Sequence, residues 1–497
     1  MTTTSALVLP KFMREEILPR LPESLEVAIA SWIEQNPKLS AIRSAAYSAL
    51  KKVGLPHSAS EDYSFIRVGE VLPHLGSPAE VPKTVLPDPV SPNSERPKAD
   101  LPSVDTLIDL IVPECKNNFI VILNGRFEPS ISKLGPGLSV DRLEGNGKPQ
   151  LLSQIAAESD ALAALAMLFA FEPIRIQITA KAVLPSPLQI LHFQTLSPNL
   201  LTKKTTDAKS GRRLDTFLLI EAATLSESKI LVRHATAKGM QTHEALTNMQ
   251  TLVCLEESAS MTFQESGLTT NDTQAKSQTL RFQKLSAHLE RNSRLFTVSA
   301  QTGSRLTRNS FAVDLLGQGA DAEINCAAVL TGKNQSHQFA RIRHLVPHCT
   351  SRQHFKSVAA DEAKSSVDGT IFVAKDAQGT NAHQLINNLM LSDEARTDSK
   401  PQLMIYADDV KCAHGATTGK LDSAQRFYLL SRGLRPDQAL NLMTVAFIAE
   451  ILEKADGGNQ KGSEFKSGFR SLLEHDLLDT LKTRLPTGAS ESQPFHA

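Results

Sequence analysis

The sequence contains few of the residues on which several common functional sites depend. Its five cysteines are scattered and no two form a Cys-x-x-Cys pair, which excludes a zinc ribbon and a thioredoxin-type site. Aromatic residues make up only 5% of the chain, so stacking platforms for single-stranded nucleic acid are not expected. Basic and acidic residues balance at 53 each, and this lack of net charge argues against a general nucleic-acid-binding protein.

Long hydrophobic runs are also absent. The longest, residues 161–171, is about half of the roughly 20 residues that a membrane span requires. The first twenty residues lack the basic start and apolar stretch of a secretory signal, and an odd number of scattered cysteines is typical of reduced thiols. These features predict a cytoplasmic protein without membrane association.

The chain changes character twice along its 497 residues. Apolar residues recur at helical spacings over about 10–55, and a proline-rich stretch follows at about 78–102. Short strand-like runs then continue from Ile174 to about Ile405, and helical periodicity returns after Leu421. We therefore predict three units: an N-terminal helical region with a linker at 1–110, a β core at 111–420 that includes an apolar helix near 153–171, and a C-terminal helical domain at 421–497.

The unbroken series of strands excludes a doubly wound α/β fold. A sandwich, a propeller and a parallel β-solenoid remain. The segment LLGQGADAEINCAAVL, residues 315–330, places a Gly-x-Gly-Ala turn between apolar strands, and such a turn suits the tight corner of a solenoid coil. The pattern favours the solenoid over the other two folds.

Three short motifs that resemble known sites fail on spacing or context. Gly415–Lys420 has three residues between its glycines, where a phosphate loop requires four. Gly317–Ala322 fits a dinucleotide fingerprint, but a predicted strand follows it where a helix is needed. His243-Glu244 begins a zinc-protease motif, but Thr247 occupies the position of its second histidine.

A group of histidines and one cysteine gives a weak metal hypothesis, because its spacings fit no standard ligand set. Its members are His337, His344, His348, Cys349 and His354.

The segment YADDVKCAHGATTGKLD, residues 406–422, concentrates chemically active side chains. If residues 403–414 are extended, Cys412 and His414 share one face and lie roughly 7 Å apart. Asp408 then faces the same way, whereas Asp409 faces the other. An ion or a sulfur species could bridge the thiol and the imidazole, and the thiol could be activated as a thiolate. A polar end to the last strand is the alternative, and the residues alone do not decide between these two interpretations.

The longer segment KPQLMIYADDVKCAHGATTGKLDSAQRFYLLSRGL, residues 400–434, resembles a signature segment of the SufB/SufD family of iron–sulfur cluster assembly proteins. Its Lys-Cys-x-His-Gly pattern is similar to the SufD members of that family rather than to the SufB members. Five further segments resemble the same family: 54–65, 119–134, 303–324, 347–358 and 368–395.

The resemblance implies a fold and a set of partners. The fold is a right-handed parallel β-helix flanked by N-terminal and C-terminal helices. The function is that of a non-catalytic scaffold that pairs with a SufB-like subunit and binds a SufC-like ATPase, in a SufBC₂D-type complex. The isolated chain then binds no cofactor, the iron–sulfur cluster is present transiently in the complex, and ATP is bound by SufC. When alone, the chain can form a homodimer.

The resemblance also implies roles for individual residues. Cys412 and His414 lie at the junction with the SufB-like subunit, where the nascent cluster forms, and His414 is the better candidate for an iron ligand. The C-terminal helices bind the SufC-like ATPase through exposed apolar residues, which include Phe427, Leu440, Met443 and Phe447.

Two other functions remain open at this point. One is a stand-alone β-solenoid hydrolase or lyase that uses Asp408, Asp409 and His414, although adjacent aspartates should face opposite ways. The other is an adaptor that binds an ATPase without contacting clusters.

Overall fold

The computed structural model describes residues 21–57, 60, 63–72, 75, 107–143, 152, 160–194, 212–236, 245–267, 279–302, 304–456 and 468–474. The predicted linker at 78–102 lies outside these residues, as does the first part of the helix predicted at 153–171. The helices are α1 (Glu23–Glu34), α2 (Ser40–Val53), α3 (Val68–Val71), α4 (Ala161–Phe169), α5 (Ser423–Ser431) and α6 (Pro436–Glu453). None of the described helices is both long enough and apolar enough to cross a membrane.

Strands dominate the chain between the helical ends. They are β1 (Phe119–Leu123), β2 (Arg126–Phe127), β3 (Leu138–Arg142), β4 (Ile174–Ile178), β5 (Leu188–Gln194), β6 (Arg212–Ala222), β7 (Glu227–Thr236), β8 (Ala245–Leu255), β9 (Ser260–Gly267), β10 (Leu280–Leu289), β11 (Arg294–Thr302), β12 (Leu306–Leu315), β13 (Asp321–Leu330), β14 (Gln335–His344), β15 (Thr350–Ala359), β16 (Lys364–Val373), β17 (Thr380–Met390), β18 (Arg396–Ile405) and β19 (Val410–Gly419).

The strands form two sheets in a solenoid. The first sheet has the order β19-β17-β15-β13-β11-β9-β7-β5-β1-β2, and the second has β18-β16-β14-β12-β10-β8-β6-β4-β3. From β4 onward, consecutive strands alternate between the sheets, and each pairs in parallel with the strand two places along the chain. The predicted β-solenoid is therefore confirmed, because a sandwich or a propeller does not have this connectivity.

The corners of successive coils stack on one another through backbone hydrogen bonds. The N–H of His348 donates to the carbonyl of Gln378 over 2.8 Å, and the N–H of Gly379 donates to the carbonyl of Asp409 over 2.7 Å. Corner residues adopt the left-handed conformation, with φ of 58° at His348 and 78° at Gly319. The Gly-x-Gly-Ala turn lies at such a corner, as predicted, because glycine adopts this conformation without steric cost.

The two ends of the solenoid differ. At the first coil, β2 and β3 pair antiparallel with β1 and β4 and cover the outermost strand of each sheet. At the last coil, β18 and β19 each pair with one neighbouring strand, and none of the described residues forms a strand on their other side. We call this uncovered last coil the open end.

Three hydrophobic clusters account for most of the core. One fills the solenoid interior with residues from both sheets, such as Ile190, Phe263 and Ile342. A second lies between the outer face of the second sheet and helices α1, α2 and α4, which explains why every residue of α4 is buried. A third lies between the outer face of the first sheet and α6.

Helix α6 is held against the first sheet by polar contacts as well as by apolar packing. Lys356 Nζ donates to the carbonyl of Phe447 over 2.8 Å, and Lys454 Nζ lies 2.9 Å from Glu323 Oε1. At the end of the helix the carbonyl of Ala455 accepts hydrogen bonds from Lys229 and Gln264 of the solenoid. These contacts fix α6, and with it α5, next to the open end.

Candidate functional site at the open end

Cys412 and His414 both lie on β19, the last strand of the first sheet. The segment 403–414 is not one extended strand, as the sequence analysis assumed, because β18 ends at Ile405 and β19 begins at Val410. Residues 406–409 form the corner between them. The shared face of Cys412 and His414 is retained, since both lie within β19 and are two residues apart.

The register of β19 shows which face this is. Cys412 is paired with Ala382 and His414 with Gln384, and both of these β17 residues are buried on the interior side of the solenoid. Cys412 packs against a small apolar cluster that fills the last coil and includes Ile371 and Ala382. The thiol and the imidazole therefore occupy interior-facing positions.

Interior-facing positions are accessible here because no further coil covers them. His414 is exposed and Cys412 is half-buried, whereas their equivalents one coil earlier, Gln384 and Ala382, are buried. The open end thus presents a thiol and an imidazole side by side on the rim of the last coil.

The local environment keeps Cys412 protonated. Burial raises the pKa of its thiol, and a hydrogen bond with the backbone of Ala382 opposes this only in part. The thiol of the isolated chain is therefore not an activated nucleophile, because the thiolate is the reactive form. A metal ion that binds the sulfur displaces the proton.

The chain supplies an incomplete ligand set for a metal at the open end. Among the described residues, no group of three or more His, Cys, Asp or Glu side chains is arranged to hold a metal ion. Cys412 and His414 together offer one sulfur and one nitrogen, which are ligand types that suit iron and iron–sulfur clusters.

Asp408 and Asp409 lie at the corner that precedes β19, and both are exposed. The backbone N–H of Asp409 donates to Gln378 Oε1 over 2.8 Å, and its carbonyl accepts from Gly379. Asp409 thus continues the stack of corner residues along the solenoid, which is a structural reason for its position.

The histidines of the weak metal hypothesis are dispersed over three elements. His337 contacts Ser366 Oγ at 2.7 Å, and His344 contacts Ser351 Oγ at 2.8 Å. Burial lowers the pKa of His337 to about 3 and that of His344 to about 4, so both are neutral. Cys349 is buried, and its thiol hydrogen-bonds to the carbonyl of Gly317. These residues belong to the packing of the coils.

The apolar residues assigned to the C-terminal helices divide into two groups. Leu440 and Phe447 are half-buried and pack against the cluster between α6 and the first sheet, and Met443 is buried. The expectation that they are exposed is therefore wrong for Met443 and only partly met for the other two. Phe427 is 73% exposed, as expected.

The exposed apolar surface of these helices consists of Phe427, Tyr428 and Leu442, the last of which is 50% exposed. Tyr428 and Leu442 were not among the residues predicted from the sequence to form this surface. Beside them, a groove of about 840 Å³ runs between the end of β19 and helices α5 and α6, with Tyr428, Leu442 and Met443 in its wall. Asp422 caps α5 by accepting from the N–H groups of Ala424 and Gln425, which are among the unpaired donors at the start of a helix.

A buried polar cluster inside the solenoid was not found from the sequence. The rings of His192 and His234 stack with centroids 5.1 Å apart, and His234 Nε2 lies 3.3 Å from Glu265 Oε1 and 2.5 Å from Gln283 Nε2. Burial lowers the pKa of both histidines well below the usual value. Burial also raises the pKa of Glu265 to about 7, against the positive charge of Arg281. The sequence signal that could have revealed this cluster is the presence of polar residues at interior-facing positions of the strands.

Replacing Glu265 by glutamine should make the stability of the protein less sensitive to pH between about pH 4.5 and pH 7. Because the pKa of Glu265 is raised from 4.5 to about 7 in the folded chain, its stabilising contribution is full below pH 4.5 and is lost as the pH rises through 7. A shift of this size corresponds to about 3 kcal/mol in total, of which about 2–3 kcal/mol falls between pH 5 and pH 8. We expect Glu265→Gln to gain roughly this much free energy of unfolding, relative to wild type, between pH 5 and pH 8.

Denaturant unfolding of both proteins at the two pH values measures the difference. His192 and His234, whose pKa burial lowers well below the usual value, are present in both proteins. The exposed Glu290 provides the control, since Glu290→Gln should leave the difference from wild type independent of pH. An equal difference at pH 5 and pH 8 for Glu265→Gln would contradict the assignment.

The fold and the similarity to known proteins together define the class of protein to which the chain belongs. The structure is a parallel β-solenoid with an open end and attached helices. Residues 205–447 match the family model described as "SUF system FeS cluster assembly, SufBD core domain". This region includes most of the solenoid, the open end, α5 and part of α6. The chain belongs to the SufB/SufD family.

Individual relatives agree with this assignment. The chain is 34% identical to iron–sulfur cluster assembly protein SufD of Escherichia coli over 195 residues, which are 39% of this chain and 43% of that protein. It is 25% identical to SufBD family protein slr0076 of Synechocystis over 89% of this chain and 93% of the relative. The match to the chloroplastic protein ABCI7 of Arabidopsis thaliana is 34% identical over 32% of this chain and 33% of the relative. The first and third matches thus span less than half of the relatives' length.

Proposed function

We propose that this chain is a SufD-type scaffold subunit that holds a nascent iron–sulfur cluster together with a SufB-like subunit. One observation carries the proposal: Cys412 and His414 occupy interior-facing positions on the last coil, which no other strand among the described residues covers. Membership of the SufB/SufD family supports a role in iron–sulfur cluster assembly.

The open end is suited to association with a second solenoid. Strands β18 and β19 each leave one edge of backbone N–H and C=O groups unpaired, and such edges are ready templates for another chain. Met404, Ile405 and Tyr406 at this end are exposed, so association also buries apolar surface. A SufB-like subunit of the same family fits this surface, and a second copy of this chain takes its place when the SufB-like subunit is missing.

The cluster is the substrate of the complex rather than a resident cofactor of this chain. Cys412 supplies a soft thiolate and His414 a neutral imidazole, and the SufB-like subunit completes the ligand set. Two ligands from this chain hold iron weakly alone, which suits a cluster that must be passed on. His414 is the better ligand of the two, since it is exposed and Cys412 is half-buried.

The C-terminal helices are proposed to bind a SufC-like ATPase. The exposed Phe427, Tyr428 and Leu442 form an apolar surface on α5 and α6, and α6 is fixed to the solenoid by Lys356 and Lys454. The sequence lacks a phosphate loop, so ATP enters the complex through this ATPase. Met443 contributes from the wall of the adjoining groove, whereas Leu440 and Phe447 position the helix.

No specific observation favours the alternative of a stand-alone hydrolase or lyase. Asp408 and Asp409 are adjacent and exposed at a corner, and Asp409 has a structural role in the corner stack. The scaffold proposal does not require either carboxylate.

The composition of the native complex tests the proposal. A tagged chain expressed in its own cell should copurify with a SufB-like subunit and a SufC-like ATPase in stoichiometric amounts. The chain purified alone should form dimers by light scattering. A monomer with hydrolytic activity and without these subunits would support the alternative enzyme.

A further inference from the structure

A buried glutamine lies next to His414 in the register of the open end. Gln384 on β17 is paired with His414 on β19, and its side chain is only 3% exposed. Its Nε2 donates to Oε1 of Gln353, on the preceding coil, over 2.8 Å. Among the described residues, Oε1 of Gln384 has no hydrogen-bond partner. The carboxamide is therefore held by its nitrogen and has a free acceptor.

The opposite sheet provides the space for this side chain. Gly369 lies on β16, and a Cβ atom added to it would be 1.9 Å from Nε2 of Gln384. Any other residue at this position would displace the carboxamide. The interior of the last coils is thus shaped around Gln384 by the absence of a side chain at Gly369 and by the hydrogen bond that Gln384 donates to Gln353.

The register places the free acceptor and the imidazole at directly paired positions on neighbouring strands. Paired strands lie about 4.8 Å apart, and side chains at directly paired positions point to the same face. A neutral imidazole has one N–H donor and one nitrogen with a free lone pair. Metal-binding histidines usually donate the N–H to a nearby oxygen, and this fixes the tautomer and the ring orientation.

We propose that Gln384 is a positioning residue for His414. Its carboxamide oxygen accepts the imidazole N–H, so one tautomer is selected and the lone pair of the other nitrogen is directed out of the open end towards iron. The inference rests on the proposed function, because that function supplies the ion which His414 binds. A positioning role also explains why a glutamine with an unpaired oxygen occupies this interior position.

The solenoid contains a matched control for this position. Gln338 on β14 is also interior-facing, is 2% exposed, and has an Oε1 atom without a partner in the described part of the chain. Its Nε2 donates to Ser336 Oγ over 2.9 Å. Its neighbours in the register are Asn309 and Val367, so it has no histidine to position. Gln384→Met and Gln338→Met remove the same acceptor at nearly the same volume.

Two measurements test the proposal, and the first is the tautomer of His414. Full-length chain is labelled with ¹⁵N-histidine, and the His414 signals are assigned by their loss in His414→Ala. Wild type and Gln338→Met should show one tautomer at neutral pH, and Gln384→Met should show a mixture. Gln384→Glu retains an oxygen acceptor and should restore the single tautomer, which a purely structural role would not explain.

The second measurement uses Co²⁺ as a spectroscopic probe of the purified complex with the SufB-like subunit. We expect Gln384→Met to weaken Co²⁺ binding at least tenfold, Gln338→Met to leave it unchanged, and His414→Ala to abolish the imidazole-dependent bands. If His414→Ala loses the bands but Gln384→Met equals Gln338→Met in both measurements, the positioning role is wrong and the proposed function stands. If His414→Ala retains the bands, the proposed function itself fails at this site.

Discussion

Replacing His414 by alanine should leave the complex assembled and should reduce iron–sulfur cluster formation at least tenfold. His414 is exposed on the last strand of the solenoid, so its removal creates no cavity and should change the free energy of unfolding by less than about 0.5 kcal/mol. The loss instead removes one of the two ligands that this chain offers. Cluster formation is measured by the visible absorption of the reconstituted complex, and assembly by size-exclusion chromatography.

A control variant on the same strand distinguishes loss of the imidazole ligand from a general change of the strand surface. Lys411 is exposed on β19, and its side chain points to the opposite face from His414 because their positions differ by an odd number. Lys411→Ala should support cluster formation at the rate of the wild type. Normal cluster formation in His414→Ala would remove the imidazole from the mechanism. Loss of the SufB-like subunit from the variant complex would instead show that His414 acts in association.

The second large effect is expected at the C-terminal helices. Phe427 is 73% exposed on α5, and an exposed aromatic residue of this kind is a typical centre of a protein interface. Phe427→Glu should weaken binding of the SufC-like ATPase by roughly 30- to 100-fold, equivalent to about 2–3 kcal/mol. Isothermal titration calorimetry with the purified ATPase measures this change.

The choice of variant follows from the burial of the helical residues. Charge at Met443 would be placed in a buried position, and charge at Phe447 would face the solenoid and disturb the contact with Lys356. Either variant would weaken binding by disturbing the packing of α6. Phe427→Glu avoids this, because the side chain of Phe427 is exposed. Equal affinities of wild type and Phe427→Glu would place the ATPase elsewhere, provided that circular dichroism shows both proteins folded.

The fold was predictable from the sequence because its main signals are local. The strand-like runs between Ile174 and Ile405 alternate with period two, which specifies interior and exterior faces for each strand. Gly319 marks a corner because a left-handed backbone conformation is required there. Asp422 marks the start of α5 because its side chain caps the helix, and Pro436 marks the start of α6 because proline is favoured in the first helical turn. The choice of a solenoid over a sandwich or propeller needed the parallel pairing of strands two places apart, which is not local.

The candidate site was predictable only in part. Cys412 and His414 were identified from a resemblance and from their spacing, and the structure places them on one face. Asp408 and Asp409 were assigned to a strand, but the chain turns at this point because each coil must return to the other sheet. The cluster of His192, His234 and Glu265 was missed, since these residues are far apart in sequence and come together only when the coils stack.

The sequence by itself determined which residues alternate, where the coils turn, where the C-terminal helices begin, and which segment resembles the SufB/SufD family. Only the tertiary structure decided which of these faces is covered. Gln384 and His414 occupy equivalent positions one coil apart, yet the first is buried and the second exposed, because a further coil follows one and not the other. Likewise Met443 is buried and Phe427 is exposed, because α6 packs against the solenoid and the outer side of α5 does not. Periodicity is a property of neighbouring residues along the chain, whereas the exposure of a side chain depends on which elements, distant in sequence, pack against it.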